Sequence, residues 1–510
     1  MPKYRYFNYG FILLFILVAV STGLRFTNLN GKIYWHDEAY TSLRVFGHTS
    51  SQYYTDIFDN KIHTIKEVRA YQYPNPDLGI TDTIKALVSR PEHPPLYYLV
   101  GRLWSGMFVD PVFALRSLSV LFGILLLPAV YLLMRELFDD PWVSWTAVAI
   151  AAVSPLHLLY SQEARQYGLW TTLTALSCAF FLRGLRTHTS RSWYAYTLTI
   201  ILGFYTHIMF AFAVITHIVY LILMRAQIQQ ERIKAFACSV ALGITAFIPW
   251  FVLLIYSRQD VLQKTGWMKH PLPKLTLAHN WLLSINRLFI DFPGSAYLIP
   301  ISAALVIFSL IILVRRNPRR VWLLPVLLLT ITGGIVILPD ILGGGMRSFL
   351  IRYLFPPLLS IELCVAYMIG SGIKYRSPQA PLMRFLAVLL IAGGLFSQVM
   401  IVSSDKWWNK YQSEMNGDAA AIINASDKPL LISMMGDINP GEVLSMSYHL
   451  DDHVELLLLN YNSFPEIPSG FDRIFVLNPA WELLEGLKKK YTMNLIHKPE
   501  ALWELVKEVN

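Results

Sequence analysis

The sequence contains few charged residues for its length. Of its 510 residues 15% are charged, whereas a soluble globular protein carries about 25%. Hydrophobic residues account for 54% of the chain, and apolar runs of about 20 residues recur along it. These two features predict a helical membrane protein with many spans, and they exclude an ordinary soluble enzyme.

Cysteine is also scarce, and its positions form no recognisable pattern. Cys178, Cys238 and Cys364 all lie inside apolar runs, as small core residues do. They show neither a disulfide framework nor the spacing of zinc ligands. The formal net charge of +9 comes from basic residues scattered in short loops, and no nucleic-acid-binding motif is present. We therefore expect no nucleic acid among the partners.

Eleven stretches are candidate membrane spans, because each is apolar over nearly the length that a bilayer requires. They are residues 9–27, 111–135, 141–158, 166–184, 192–207, 208–224, 235–256, 297–314, 320–338, 349–370 and 382–402. The loops at 183–191, 225–234, 315–320 and 374–384 are rich in Lys and Arg, and the positive-inside rule places them in the cytoplasm. The expected fold class is an α-helical polytopic membrane protein with about eleven transmembrane helices.

One further apolar segment, 94–108, is too short to span, at about 15 residues. Counting it as a span would move every later basic loop to the other side of the membrane. We therefore expect an interfacial or re-entrant helix at 94–108. Residues 28–110 then form one large first extracytoplasmic loop with juxtamembrane helices.

The composition changes after the last span. Residues 403–510 combine dense charge with short apolar runs, and strand-like and helix-like pieces alternate along them. This alternation predicts a small α/β domain. With a cytoplasmic N-terminus, eleven spans leave it outside. The expected domains are a transmembrane domain at 1–402 and an extracytoplasmic soluble α/β domain at 403–510.

Several polar residues fall at the extracytoplasmic ends of the predicted spans. Asp37 and Glu38 follow the first span directly. The others are Glu92, His93, Tyr97, Glu163, Arg165, Tyr167, His207, Arg347, Arg352 and Tyr353. Ionisable residues at a membrane boundary are costly unless solvated or paired, so they indicate a functional site.

Each of these positions also has an ordinary interpretation. Asp37 and Glu38 fit a solvated loop or the acidic first turn of a helix. Glu163 and Arg165 fit a mutual ion pair, His207 fits a satisfied interfacial histidine, and the arginines at 347 and 352 fit side chains that reach lipid headgroups. A functional site is favoured because these residues occupy one side of an otherwise apolar protein, whereas the other side has basic loops only.

This arrangement suits one kind of chemistry. A carboxylate at Asp37 can act as general base toward an acceptor hydroxyl or amine. Arginines nearby can stabilise a departing phosphate. An apolar groove entered from the membrane suits a lipid that carries the phosphate. Together they favour transfer of a sugar from a polyprenyl-phosphate donor, with inversion because one base suffices.

Seven ordered motifs resemble those of a known family. They are Asp37-Glu38, His93-Pro94-Pro95-Leu96-Tyr97-Tyr98, Leu115-Arg116, Leu121-Phe122-Gly123, Tyr160-Ser161-Gln162-Glu163-Ala164-Arg165-Gln166-Tyr167, Tyr205-Thr206-His207 and Arg352-Tyr353-Leu354 with Pro356. In order and spacing, over roughly residues 5–360, they resemble the membrane glycosyltransferases of the GT-C fold. The similar group is family 39 with the aminoarabinose-transferase-like enzymes, which includes protein O-mannosyltransferases and lipid A aminoarabinose transferases.

The resemblance implies roles for individual residues. It implies that Asp37 is the base and that Glu38 positions the acceptor. It also implies substrate contacts, among them donor-phosphate contacts from the arginines, at Glu92, His93, Tyr97, Glu163, Arg165, Tyr167, His207, Arg347, Arg352 and Tyr353. His93 stands where aminoarabinose transferases have a lysine before two prolines, and a histidine reaches a phosphate less far. A divalent metal at Glu92 and His93 is conceivable, although two ligands do not establish a site.

The alternative function is a membrane transporter or lipid flippase. Such proteins usually place ionisable residues and broken helices near the middle of the bilayer, and the predicted spans carry few charges there. A receptor or scaffold would leave the polar clusters unexplained. We therefore expect a glycosyltransferase of the bacterial plasma (inner) membrane, whose sugar and acceptor do not follow from these residues.

Overall fold

The structure is a computed structural model that describes residues 2–187, 189–374, 378–408, 410, 412–436, 438–461, 463–464, 466–497 and 502–508, without the side chains of 2–11, 507 and 508. Part of the predicted basic loop at 374–384, residues 375–377, lies outside this part of the chain.

Helices dominate the chain. They are α1 Pro2–Phe26, α2 His36–Val45, α3 Ser50–Ile57, α4 Ile65–Ala70, α5 Ile80–Val88, α6 Leu96–Ser105, α7 Pro111–Phe138, α8 Pro141–Val153, α9 Pro155–Ser161, α10 Tyr167–Thr187, α11 Ser190–Thr206, α12 Ala211–Met224, α13 Gln230–Tyr256, α14 Arg258–Lys264, α15 Lys274–Phe289, α16 Ile299–Arg316, α17 Arg319–Gly343, α18 Phe355–Lys374, α19 Ala380–Val402, α20 Asn416–Asn424, α21 Asn439–Met446 and α22 Trp481–Lys488. The strands are β1 Ile62–Thr64, β2 Pro429–Met434, β3 Glu455–Leu459, β4 Arg473–Leu477, β5 Tyr491–His497 and β6 Leu502–Glu508.

The predicted spans are all occupied by helices. Within the described residues, eight helices are long and apolar enough to cross a membrane, and a ninth is counted if the bent pair α8 and α9 is one span. The eight do not include α11, which has 17 residues, or α1, which has 25 residues but whose side chains are described only from residue 12 onward. At 10 residues, α6 is too short to span, as expected for 94–108.

The chain divides into two compact units. The first comprises residues 1–27, 90–97 and 117–403, and contains the helical bundle. The second comprises residues 28–89, 98–116 and 404–510. Most of the predicted first loop thus belongs to the same unit as the C-terminal segment, whereas the sequence suggested a boundary near residue 402.

The bundle has α18 at its centre. Its apolar window is 94% buried, against 22% for the helix at 295–316, because α18 packs on α8, α17, α16 and α19. Burial leaves its one carboxylate, Glu362, without water, and His157 on α9 pairs with it at 2.9 Å (Nε2 to Oε2). The interior of the bundle is thus not wholly apolar.

A sharp bend of 58° separates α8 from α9. Pro155 begins α9, where its missing N–H and fixed φ suit a first helical position but end the preceding helix. The Ser154 hydroxyl caps α9 by accepting from the His157 N–H at 3.4 Å, and it donates to the Leu288 carbonyl at 2.7 Å. The bend fixes where the turn at residues 160–167 lies at the end of α9.

The second unit is built on a six-stranded sheet with the order β1-β3-β2-β4-β6-β5. β2 pairs in parallel with β3 and β4, and every residue of β2 is buried, as expected for the centre of a covered sheet. β1, from the first loop, pairs antiparallel with β3, with Ile62 opposite Leu457. The small α/β domain expected at 403–510 is therefore present, and the first loop contributes a strand to it.

Candidate active site

The acidic pair lies at the start of α2, in the second unit. Asp37 and Glu38 occupy the first turn of this helix, where the helix dipole favours negative charge. Glu38 Oε2 also accepts the N–H of Trp35 at 3.4 Å, which satisfies one of the free amides of the helix start. The N-terminus of α2 therefore stabilises two adjacent carboxylates.

Glu38 forms a buried, two-point ion pair with Arg116. Arg116 Nε donates to Oε1 at 2.9 Å and Nη2 donates to Oε2 at 2.7 Å, and both side chains are 0% exposed. Arg116 also donates to the carbonyls of Leu29, Lys32 and Ile33. Bidentate geometry with the remaining donors satisfied is what a buried pair requires. Through Arg116, Glu38 links α2 to the preceding chain segment at residues 29–33.

Asp37 is in a different environment although it is the next residue. Its side chain is 16% exposed, and its Oδ1 lies 3.1 Å from Nε2 of His36. Adjacent helical residues point in directions about 100° apart, so one carboxylate enters the interior and the other faces its edge. Of the two carboxylates, Asp37 is the one that a substrate can reach.

The remaining predicted site residues lie in the first unit. The turn between α9 and α10 brings Arg165 and Tyr167 together, with Arg165 Nη2 donating to the Tyr167 hydroxyl at 3.3 Å. This turn packs closely on α7, since a Cβ placed on Gly123 would lie 2.6 Å from that of Ser161. Tyr97 is fully buried beneath it, and its hydroxyl lies 2.7 Å from that of Ser119.

His207 sits beside the same turn, at the end of α11. Its ring stacks on Trp170 with centroids 4.3 Å apart, and Nδ1 accepts from the Met209 N–H at 3.2 Å. Since Nδ1 accepts, the ring is neutral, with its proton on Nε2. Both Arg165 and Arg352 are charged neighbours of this ring. Arg165, Arg352 and His207 thus form a cluster of two guanidinium groups and one neutral imidazole.

Aromatic rings enclose the cluster. Tyr353 lies 6.5 Å from His207 between ring centroids, and the Arg352 guanidinium lies 5.5 Å from the centre of the Tyr353 ring. Glu163 is fully buried and is a charged neighbour of Tyr160. The structure thus brings together Glu163, Arg165, Tyr167, His207, Arg352 and Tyr353 around the ends of α9, α10 and α11.

Arg347 has a separate environment. Its Nη1 pairs with Asp340 Oδ1 at 2.7 Å, while the other Asp340 oxygen accepts from the N–H and the hydroxyl of Ser348, each at 2.7 Å. The Arg347 side chain is 27% exposed. This ion pair holds the loop that follows α17 against the end of that helix.

Glu92 and His93 precede α6. Glu92 Oε1 lies 3.5 Å from Nη1 of Arg90, and Trp250 Nε1 donates to the Pro91 carbonyl at 2.9 Å, which fixes this stretch on α13. Among the described residues, no three His, Cys, Asp or Glu side chains form a group that could hold a metal ion. Glu92 and His93 alone fall short of the ligand count that a zinc site uses.

Three residues near Asp37 were not singled out as site residues from the sequence. Arg116 lies in the motif Leu115-Arg116, which marks it in the sequence. His36 is adjacent to Asp37, yet nothing in the local sequence marks it. Glu442 lies far along the chain in α21, with its Oε1 3.4 Å from His36 Nδ1, and no sequence pattern links the two.

Comparison with known proteins supports the fold. Residues 92–253 match the family described as dolichyl-phosphate-mannose-protein mannosyltransferase. A search of curated protein sequences finds no match.

Several solved structures are similar along most of the chain. The crystal structure of ArnT from Cupriavidus metallidurans bound to undecaprenyl phosphate covers 97% of this chain and 98% of its own, with TM-score 0.54 and 13% identity. The same protein in the apo state gives TM-score 0.56 at 12% identity, covering 98% of each chain. The Archaeoglobus fulgidus oligosaccharyltransferase in complex with Zn and sulfate gives TM-score 0.51 at 11% identity, over 94% of this chain and 71% of its own. At these identities the likeness establishes the fold, and the expected GT-C architecture is confirmed.

Proposed function

We propose that this chain, a multi-pass membrane protein of the GT-C fold, transfers a sugar from a polyprenyl-phosphate donor to an acceptor. The reaction would take place on the extracytoplasmic face of a bacterial inner membrane. Support comes from the full-length likeness to ArnT, whose structure holds undecaprenyl phosphate. The family match to dolichyl-phosphate-mannose-protein mannosyltransferases points to the same class of donor.

The observation on which the proposal rests is the unequal placement of Asp37 and Glu38. Glu38 is buried and paired with Arg116, whereas Asp37 is partly exposed at the N-terminus of α2. A general base must reach the proton it accepts. Asp37 meets this condition, and Glu38 is the positioning residue that holds the start of α2.

In the proposed reaction Asp37 accepts the proton of an acceptor hydroxyl or amine. The acceptor oxygen or nitrogen then bonds to the anomeric carbon, and the bond from that carbon to the phosphate oxygen breaks. The phosphate leaves with the bonding electron pair and remains on the polyprenyl chain. A single displacement of this kind inverts the anomeric configuration.

Arg165 and Arg352 are the proposed contacts for the departing phosphate. Both are charged neighbours of His207, and the neutral His207 ring adds an Nε2–H donor without a third positive charge. Positioned cationic donors stabilise charge that develops on a leaving group. Tyr97, Tyr167 and Tyr353 shape the surroundings of these groups, and Glu163 is a proposed substrate contact.

The test is incubation of the purified protein with a panel of polyprenyl-phosphate sugars, followed by identification of the donor that is consumed. We expect consumption of one class of donor and formation of free polyprenyl phosphate. In Asp37→Asn the rate should fall by about 10²–10⁴-fold, the usual contribution of a general base. Asp59→Asn, which alters a carboxylate of the same unit paired with Lys61, is the matched control and should retain its rate.

Two outcomes would contradict the proposal in different ways. Consumption of none of the donors would remove the proposed function. Full activity in Asp37→Asn would leave the function in place but remove Asp37 as the base.

A further inference from the structure

His36 and Glu442 connect the partly exposed carboxylate of Asp37 to the C-terminal segment. His36 Nε2 lies 3.1 Å from Asp37 Oδ1, and His36 Nδ1 lies 3.4 Å from Glu442 Oε1. All three residues belong to the second unit. The imidazole therefore lies between two carboxylates, within ion-pair distance of each.

Glu442 is itself fixed in place. Its side chain is 2% exposed, and it accepts from the Ser413 hydroxyl at 2.9 Å and from the Asn416 amide at 2.8 Å. Ser413 accepts the N–H of His36 at 3.1 Å, and it adopts a left-handed backbone with φ of 59°. Such a conformation is uncommon for serine and persists only where its surroundings hold it.

The His36 ring is also confined by packing. It stacks on Trp35 with centroids 5.8 Å apart, and Tyr40 meets it edge-on at 6.0 Å. A Cβ added to Gly441 would lie 3.2 Å from the His36 side chain, so α21 approaches α2 closely at this point. Little rotation of the ring is possible without loss of these contacts.

We propose that His36 and Glu442 are positioning residues for Asp37, and that the C-terminal segment takes part in the reaction by supplying Glu442. This inference rests on the proposed function, in which Asp37 is the base. The contact with His36 fixes the orientation of the Asp37 carboxylate. A cationic His36 also keeps Asp37 in the carboxylate form that a base requires.

The charges around His36 favour its cationic form. Burial lowers the pKa of His36, but the adjacent carboxylates of Asp37 and Glu442 outweigh burial and raise the pKa to about 9. The charged groups that act on the ring from α2 and α21 are these two carboxylates. His36 therefore carries its charge across the neutral pH range.

The experiment has one readout that is independent of sugar transfer. The protein is labelled with ¹³C-histidine, and the His36 signal, one of 13, is identified by its loss in His36→Gln. We expect His36 to titrate near pH 9, and Glu442→Gln should lower that midpoint by about one pH unit or more, since an opposite charge at this distance has such an effect. Glu504→Gln, which alters a half-buried carboxylate paired with Arg473 in the same unit, is the matched control and should leave it unchanged.

The second readout is the pH–rate profile with the donor identified above. In His36→Gln the acid limb should move about one pH unit or more toward higher pH, because the cation that favours the Asp37 carboxylate is gone. Adding Glu442→Gln should cause no further change, because Glu442 acts on Asp37 through His36.

The outcomes separate this inference from the proposed function. An unchanged His36 midpoint in Glu442→Gln, or an unmoved acid limb in His36→Gln, overturns the positioning roles while transfer by the wild type still stands. A lowered midpoint in a protein that consumes no donor removes the proposed function, and with it any catalytic meaning of the contact.

Discussion

At the scale of single residues, the adjacent carboxylates of Asp37 and Glu38 have different environments. Glu38 is satisfied by Arg116 and is inaccessible, whereas Asp37 keeps an exposed edge beside His36. The resemblance implied that Glu38 positions the acceptor, and we instead propose that Glu38 positions the helix that carries Asp37. Under this proposal the acidic pair combines one carboxylate that takes part in the chemistry and one that holds the structure.

Arg165 provides a prediction at this scale. Arg165→Ala should raise the apparent KM for the polyprenyl-phosphate donor about tenfold or more, since a hydrogen bond to a charged group contributes about 1.5–3 kcal/mol. The KM for the acceptor should change less than twofold. Initial rates measured against each substrate in turn check this.

The control for Arg165 is Arg69→Ala. Arg69 is half-buried and donates to the carbonyls of Ser447 and Leu450, so its loss disturbs packing in the second unit. It should not raise the donor KM selectively. An unchanged donor KM in Arg165→Ala would remove its proposed phosphate contact.

Some residues of the candidate site could be predicted from the sequence and others could not. Asp37 was identifiable because two carboxylates beside a membrane span need an explanation. Residues of the turn at 160–167 and His207 were identifiable because they lie near span ends. Glu442 was not, because its contact with His36 depends on how α21 packs on α2, and no local pattern encodes such a long-range contact.

At the scale of elements, the ion pair between Glu38 and Arg116 anchors the start of α2. Removing one partner of a buried ion pair leaves an uncompensated charge and costs about 3–5 kcal/mol. Glu38→Gln should therefore lower the midpoint of thermal unfolding in detergent, followed by tryptophan fluorescence. Asp452→Asn, at a pair with Lys66 that is exposed on both sides, should shift that midpoint little.

The same variant distinguishes the two roles considered for Glu38. If Glu38→Gln keeps its unfolding midpoint and instead raises the KM for the acceptor, Glu38 contacts the acceptor as the resemblance implied. If the unfolding midpoint falls and the KM for the acceptor does not change, its role is in the structure of α2.

The elements themselves were largely predictable. Each of the eight described helices that are long and apolar enough to cross a membrane coincides with a predicted apolar run, because the run that a bilayer requires is visible in composition alone. Their breaks were less visible. The predicted span at 141–158 is in fact interrupted at Ser154 before Pro155, since proline ends one helix and begins the next. The strand Ile62–Thr64 was missed because three residues give too short an alternation to detect.

At the scale of the whole molecule, orientation is the open prediction. Alkaline phosphatase fused after residue 110 and after residue 403 should be active at both sites, because both positions are expected outside. A fusion at residue 228, in the basic loop at 225–234, should be inactive. An inactive fusion at residue 110 would mean that 94–108 crosses the membrane and that the later spans are reversed.

The sheet of the second unit has a consequence for how the protein is made. The N–H of Asn460 donates to the side chain of Asn60 at 2.9 Å, although 400 residues separate them. At about 5–20 residues per second, the ribosome needs roughly 20–80 s between these two positions. For that interval β1 has no partner strand and His36 has no Glu442. The helical bundle is therefore synthesised before the segment that carries Asp37 can complete its fold, and synthesis of the segment that carries Glu442 and β3 determines when the proposed base is in place.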